Sequence, residues 1–226
     1  MSKTTPSLMY YSTRGARLLE VIRLVLAEAQ VEYNDVSVGT FNKEDPPKDF
    51  LELKESGKLT FNQLPAYDEP ESGLFLVQNQ AILNHVARKY KLYGKTLEEA
   101  AQIDVLLEGI KDLNDLEEAS LEELFEKDLP YWFTLFEKYL EKKYQREGKN
   151  EKDELFFVGN DITVADITMF YNIELLLESL KIVGWESKFN LDSYPYLKSN
   201  YILIENREGI KNYVNGGKRR EIHPLF

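Results

Sequence analysis

After the first 80 or so residues the chain changes character, and that change limits its fold more than any other feature. Before it, short apolar runs mix with amphipathic stretches; after it, one helical pattern follows another. The pattern predicts two domains: an α/β domain over 1–90 and an all-helical domain over 91–226.

The first part reads β-α-β-α-β-β. Ser7 to Tyr11 suits a strand, and Ala16 to Ala29 a helix with Leu18, Ile22, Val25 and Ala29 on one stripe. Glu32 to Val38 suits a second strand and Asp49 to Leu53 a short helix. Leu64 to Asp68 and Gly73 to Leu76 form a hairpin around Glu69-Pro70-Glu71-Ser72. Asn79 can cap a helix to about Tyr90 that turns Ile82, Val86 and Tyr90 inward, with His85 as packing. Beyond the break, Ile103, Leu106, Ile110, Leu113 and Leu116 mark a long helix. Pro130 suits the first turn of the next, with Trp132, Leu135, Phe136 and Tyr139 as its apolar residues. Thr163-Val164-Ala165-Asp166 is a capping box that opens a helix to about Leu180. A last helical stretch, Tyr194 to Val214, breaks near Gly209.

Charge and composition exclude several functions. With 28 basic against 39 acidic residues the net charge is −11, which repels phosphate backbones and anionic membranes. No apolar run approaches the roughly 18 residues of a membrane span, and the first residues lack a secretory pattern, so a cytoplasmic protein is expected. Without cysteine there is no disulfide, no thiolate metal site and no protein thiol nucleophile, so any sulfur chemistry uses a borrowed thiol. Two histidines, His85 and His223, are too few for a histidine-rich metal centre, and no metal is expected.

Four local patterns stand in one order along the chain. They are Tyr10-Tyr11-Ser12-Thr13-Arg14-Gly15 with Glu20-Val21-Ile22-Arg23-Leu24; Asn62-Gln63-Leu64-Pro65; Gln78-Asn79-Gln80-Ala81-Ile82-Leu83-Asn84-His85 through Gly94-Lys95; and Gly109-Ile110-Lys111-Asp112-Leu113 with Phe157-Val158-Gly159-Asn160 and the box at Thr163. In that order and spacing the sequence resembles the cytosolic glutathione transferases of the alpha, mu, pi and sigma grouping, the alpha and pi classes above all. Taken singly, each residue has an ordinary structural role; the joint order carries the resemblance.

The resemblance implies a thioredoxin-like first domain that binds glutathione and an all-helical second domain with a pocket for a hydrophobic electrophile. It implies a cis proline at Pro65, with the Leu64 backbone pairing to the cysteinyl unit of glutathione and Gln63 adding its amide. The glutamyl carboxylate falls to the helix start at Gln78 and Asn79, where serine or threonine is commoner than asparagine. Lys54, with Lys58 nearby, matches the basic residue for the glycyl carboxylate, and Asp112 matches an acid that reaches the ligand's amino group across a homodimer. Phe61 matches an aromatic that inserts into the partner subunit.

Catalysis needs a donor for the thiolate, and by motif that role falls to Tyr10. The interval between Gly15 and Glu20 is two residues longer than the family usually has, and counting back from Arg23 lands on Ser12. Tyr11 is the third candidate, because adjacent strand residues face opposite ways. Ala16 replaces the family's second arginine. The expected activity is glutathione conjugation to small hydrophobic electrophiles; a glutathione-dependent isomerase of the prostaglandin D synthase type and a non-catalytic ligand carrier are the alternatives.

Overall fold

The computed structural model describes residues 5–12, 15–114, 121–217 and Arg219, with the backbone alone of 15–18. Thr13, Arg14, Leu116, His223 and the side chains of Ala16 and Leu18 lie outside what is described. The described residues form two compact units: the chain up to Tyr90 together with the segment from Asn212, and the chain from Lys91 to Lys211.

In the first unit the order is β1 (Ser7–Tyr10), α1 (Gly15–Glu28), β2 (Asn34–Ser37), α2 (Lys48–Glu55), β3 (Ala66–Glu69), β4 (Leu74–Val77) and α3 (Asn79–Lys89). The strands form one sheet in the order β2-β1-β3-β4, with β1 and β2 parallel and the remaining pairs antiparallel. This is the thioredoxin-like arrangement that the resemblance implies, and its element order is the β-α-β-α-β-β read from the sequence pattern. Strand alternation divides the core in two. Met9, Ala66 and Val77 pack with Phe50 and Leu53 of α2, while Leu8 and Tyr67 are buried on the opposite face. Buried Leu19, Ile22 and Val25 of α1, and Ile82 and Val86 of α3, give these two helices the apolar stripes along which they pack. His85 lies against the Tyr67 ring, its centroid 6.1 Å away, as packing predicts, and 3.6 Å from Glu69.

The second unit holds α4 (Leu97–Asn114), α5 (Leu121–Glu123), a π-helical turn (Leu124–Asp128), α6 (Leu129–Arg146), α7 (Val164–Val183) and α8 (Pro195–Glu205); α9 (Glu208–Asn215) follows. The break between α8 and α9 falls at Asn206 and Arg207, just before Gly209. The central helix is α7, buried almost all round, and its start is fixed by the capping box. Asp166 accepts from the Thr163 amide and hydroxyl at 2.8 Å each, and further from the Phe157 amide and the Asn200 side chain. Along α6, Leu129, Phe133, Phe136, Leu140 and Tyr144 are the buried stripe; Leu135 is exposed, and Tyr139 is partly exposed with its ring 6.0 Å from that of Phe157.

Candidate functional site at one end of the sheet

Four strand ends meet at one edge of the first unit. The carboxyl ends of β1, β2 and β4 and the amino end of β3 all lie there, because β2 runs with β1 while β3 runs against both neighbours. In the register Met9 pairs with Ala66, so one step further along brings Tyr10 level with Pro65. The pairing of Ala66 with Val77 likewise brings Gln78 alongside Pro65. Residues 10, 65 and 78 therefore converge through strand pairing, although more than fifty residues separate the first two.

Tyr10 and Tyr11 differ in surroundings. Tyr10 is half-buried, and its carbonyl accepts from the Val38 amide at 3.0 Å. Tyr11 is only 9% exposed and packs on the α2 side, its ring 5.1 Å from Phe41 and 5.6 Å from Phe50. Burial, and secondarily the neighbouring Tyr10, pushes the Tyr11 hydroxyl above its ordinary pKa. Exposed Ser12 donates its amide to the Gly39 carbonyl at 2.9 Å and pairs its hydroxyl with that of Thr40 at 3.2 Å. Gly39 takes φ +100°, and a Cβ there would lie 2.7 Å from Pro47 Cβ, so this loop position requires glycine. The loop from Val38 to Thr40 that braces Tyr10 and Ser12 is not singled out by the sequence reading; Gly39 between Val38 and Thr40 is the signal that could have found it.

The Leu64–Pro65 peptide is cis, as the resemblance implies. Pro65 is buried, and Leu64 packs in the cluster with Phe50 and Leu53. Gln63 is exposed, and its side-chain oxygen accepts from Gln78 Nε2 at 3.4 Å. The cap of α3 is Gln78, with φ 76°, and Asn79 is the first helical residue; this corrects the sequence expectation. Chain direction explains the shift, since β4 continues to Val77 and the reversal into the helix occurs at Gln78. No side chain caps this helix and its first turn holds no acid. Its free amides and dipole favour an anion. Asn79 Oδ1 is buried without a hydrogen-bond partner.

Lys54 is exposed in the last turn of α2, and Lys58 lies 5.4 Å over the Phe75 ring. Asp112 is exposed near the end of α4, in the second unit. Strand pairing thus gathers Tyr10, Gln63, Leu64, Pro65, Gln78 and Asn79 at one end of the sheet; Lys54 and Asp112 have no such link to them. Among the described residues no group of three or more His, Asp or Glu could hold a metal ion, and no helix is long and apolar enough to cross a membrane.

Comparison with known proteins agrees with this arrangement. Residues 6–88 match the family model of the glutathione S-transferase N-terminal domain, and residues 107–217 that of the C-terminal domain. The chain belongs to the glutathione S-transferase family. Glutathione S-transferase A3 of Homo sapiens is 32% identical over 96% of this chain and 90% of its own length. The pi-class glutathione S-transferase of Onchocerca volvulus superposes with a TM-score of 0.69 at 27% identity, over 95% of this chain and 94% of that one. Prostaglandin synthase D of Nilaparvata lugens shares the fold, with a TM-score of 0.67 at 19% identity over 97% and 100% of the two chains. Glutathione is the co-substrate of the glutathione S-transferase family.

Proposed function

We propose that this glutathione transferase binds glutathione at the end of the sheet, holds its thiol as a thiolate with the Tyr10 hydroxyl, and adds the sulfur to hydrophobic electrophiles. The observation that carries the reading is the register that sets Tyr10, Pro65 and Gln78 side by side beside the uncapped start of α3. A free thiol with a pKa near 8.5 is only a few per cent ionised at neutral pH. A hydrogen bond to a charged partner contributes roughly 1.5–3 kcal/mol. Since one pKa unit is about 1.4 kcal/mol, one hydroxyl shifts the thiol by roughly one to two units. The half-buried setting of Tyr10, against the packed ring of Tyr11, supports the first as donor. Gln63, Gln78, Asn79 and the Leu64 backbone bind the peptide, Lys54 its glycyl carboxylate, and Asp112 of a second subunit its amino group. Phe61, 61% exposed, supports a homodimer in which it inserts into the partner.

Titrating the ultraviolet absorbance of the bound thiolate tests the central step. An ionisation midpoint one to two units below that of free glutathione supports it, and an unshifted midpoint overturns it. A glutathione-dependent isomerase would use the same thiolate without consuming it; the fold shared with the Nilaparvata lugens prostaglandin synthase is consistent with that second reading. Product analysis with a prostaglandin endoperoxide and with a chlorinated aromatic separates the two. The proposal includes a cytosolic location, which cell fractionation checks.

A further inference from the structure

Glu20 lies in α1 at 1% exposure, and nothing in the proposed chemistry uses it. A carboxylate so deeply buried is strongly unfavourable unless cations and donors compensate it. Arg23, one turn along α1, is the nearest cation in sequence but is largely engaged elsewhere. Its Nε and Nη2 donate to the two oxygens of Asp35 in β2 at 2.9 and 3.2 Å, leaving a 3.4 Å contact from Nη1 to Glu20. The shortest bond to Glu20 among the described residues comes from the far end of the chain. Arg219 Nε donates to Oε1 at 2.8 Å, and the Tyr213 hydroxyl donates to Oε2 at 3.2 Å. Arg219 is itself 11% exposed, so the pair is largely shielded from water and salt. The described residues of the segment from Asn212, Tyr213 and Arg219 among them, belong to the same compact unit as α1, although about two hundred residues lie between them.

We propose that the segment carrying Tyr213 and Arg219 is a strap latched onto α1, with Glu20 as its keeper and Arg23–Asp35 as the bolt that ties the latch to the sheet. While the strap is seated, the carboxylates of Glu20 and Asp35 face the guanidinium groups of Arg23 and Arg219 among the described residues. When Arg219 leaves, Arg23 remains committed to Asp35, and Glu20 regains compensation by admitting water around α1. Opening of the strap and loosening of α1 are therefore one event. The anchor is a charge in a small buried cluster, so it is set by one residue at each end.

Hydrogen exchange on the full-length chain tests this, read by mass spectrometry in peptides covering α1 and α9. Arg219→Ala should speed exchange at least tenfold in both helices, and Arg219→Lys, which keeps the cation, should restore most of the protection. In a Glu20→Gln background the same Arg219→Ala change should have little further effect, because the buried charge it served is gone. Acceleration confined to α9, with α1 unchanged, overturns the proposal. So does an equal effect of Arg219→Ala in the parent protein and in the Glu20→Gln variant. If Glu20→Gln does not fold, Arg219→Ala against Arg219→Lys decides the matter: equal exchange in the two refutes a charge latch.

Discussion

Met9 of β1 stands directly opposite Ala66 of β3, and this one pairing brings Tyr10 level with Pro65. The residues proposed here to activate the thiol and to hold the peptide are thus placed relative to each other by a backbone ladder, not by side chains.

Replacing Tyr10 by Phe removes the proposed donor and leaves the ring. With 1.5–3 kcal/mol at stake, kcat/KM for conjugation at neutral pH is expected to fall about 10- to 100-fold. Tyr11→Phe and Ser12→Ala should change it by less than about threefold, a difference of under 1 kcal/mol. Steady-state kinetics on the three variants checks the assignment; a larger loss at Ser12 than at Tyr10 would move the catalytic role.

Asn79→Asp separates binding from stability. A carboxylate in the first turn of α3 interacts favourably with the helix dipole, which stabilises the fold by about 0.3–1 kcal/mol. The same charge would repel a glutamyl carboxylate bound, as proposed, at this helix start. Calorimetry should show glutathione affinity falling at least tenfold, while the urea midpoint rises or stays level. Unchanged affinity would show that the helix start does not hold the ligand's anion.

Removing the Asp166 carboxylate strands four donors in a fully buried place: the amides of Phe157 and Thr163, the Thr163 hydroxyl and Asn200 Nδ2. Each unsatisfied buried group costs about 1–3 kcal/mol. Asp166→Ala should therefore destabilise by at least about 3 kcal/mol in urea unfolding, given that a cap alone contributes roughly 0.5–2 kcal/mol.

Glu69 sets an acid limit on stability. Burial raises its pKa, but hydrogen bonds from Lys89 at 2.5 Å and Ser72 at 2.6 Å, with the charges of Lys89 and His85, outweigh that and bring it down to about 2. A carboxyl whose pKa is depressed on folding contributes stability above its unfolded pKa, near 4.5, and loses it as pH falls toward the folded value. The contribution, at most about 3 kcal/mol, should fade between about pH 5 and pH 2. Glu69→Gln should flatten that part of the profile in urea denaturation followed against pH.

Phe61→Glu places a charge on a loop side chain that is 61% exposed in the single chain. Light scattering should show the variant as a monomer and the parent protein as a dimer. A dimeric variant would remove Phe61 from the interface.

The sequence by itself determined whatever depends on neighbours within one or two turns. The strand-like run that begins at Ser7, the stripe of Ile82 and Val86, the proline at the start of α6 and the box from Thr163 to Asp166 are local, and each is present in the structure. Tertiary structure decided the rest, because it depended on partners distant in sequence. Two apolar stripes compete on α6; packing buried Phe133 and Leu140 and left Leu135 at 43% exposure. The end of β4 at Val77 made Gln78 the cap of α3 in place of Asn79. Glu20 reads locally as an ordinary helical acid, and only the return of the chain supplies Tyr213 and Arg219 to it. Periodicity records which face of an element seeks burial; which distant residue meets it is fixed only when the chain closes its long loops and every buried charge finds its partner.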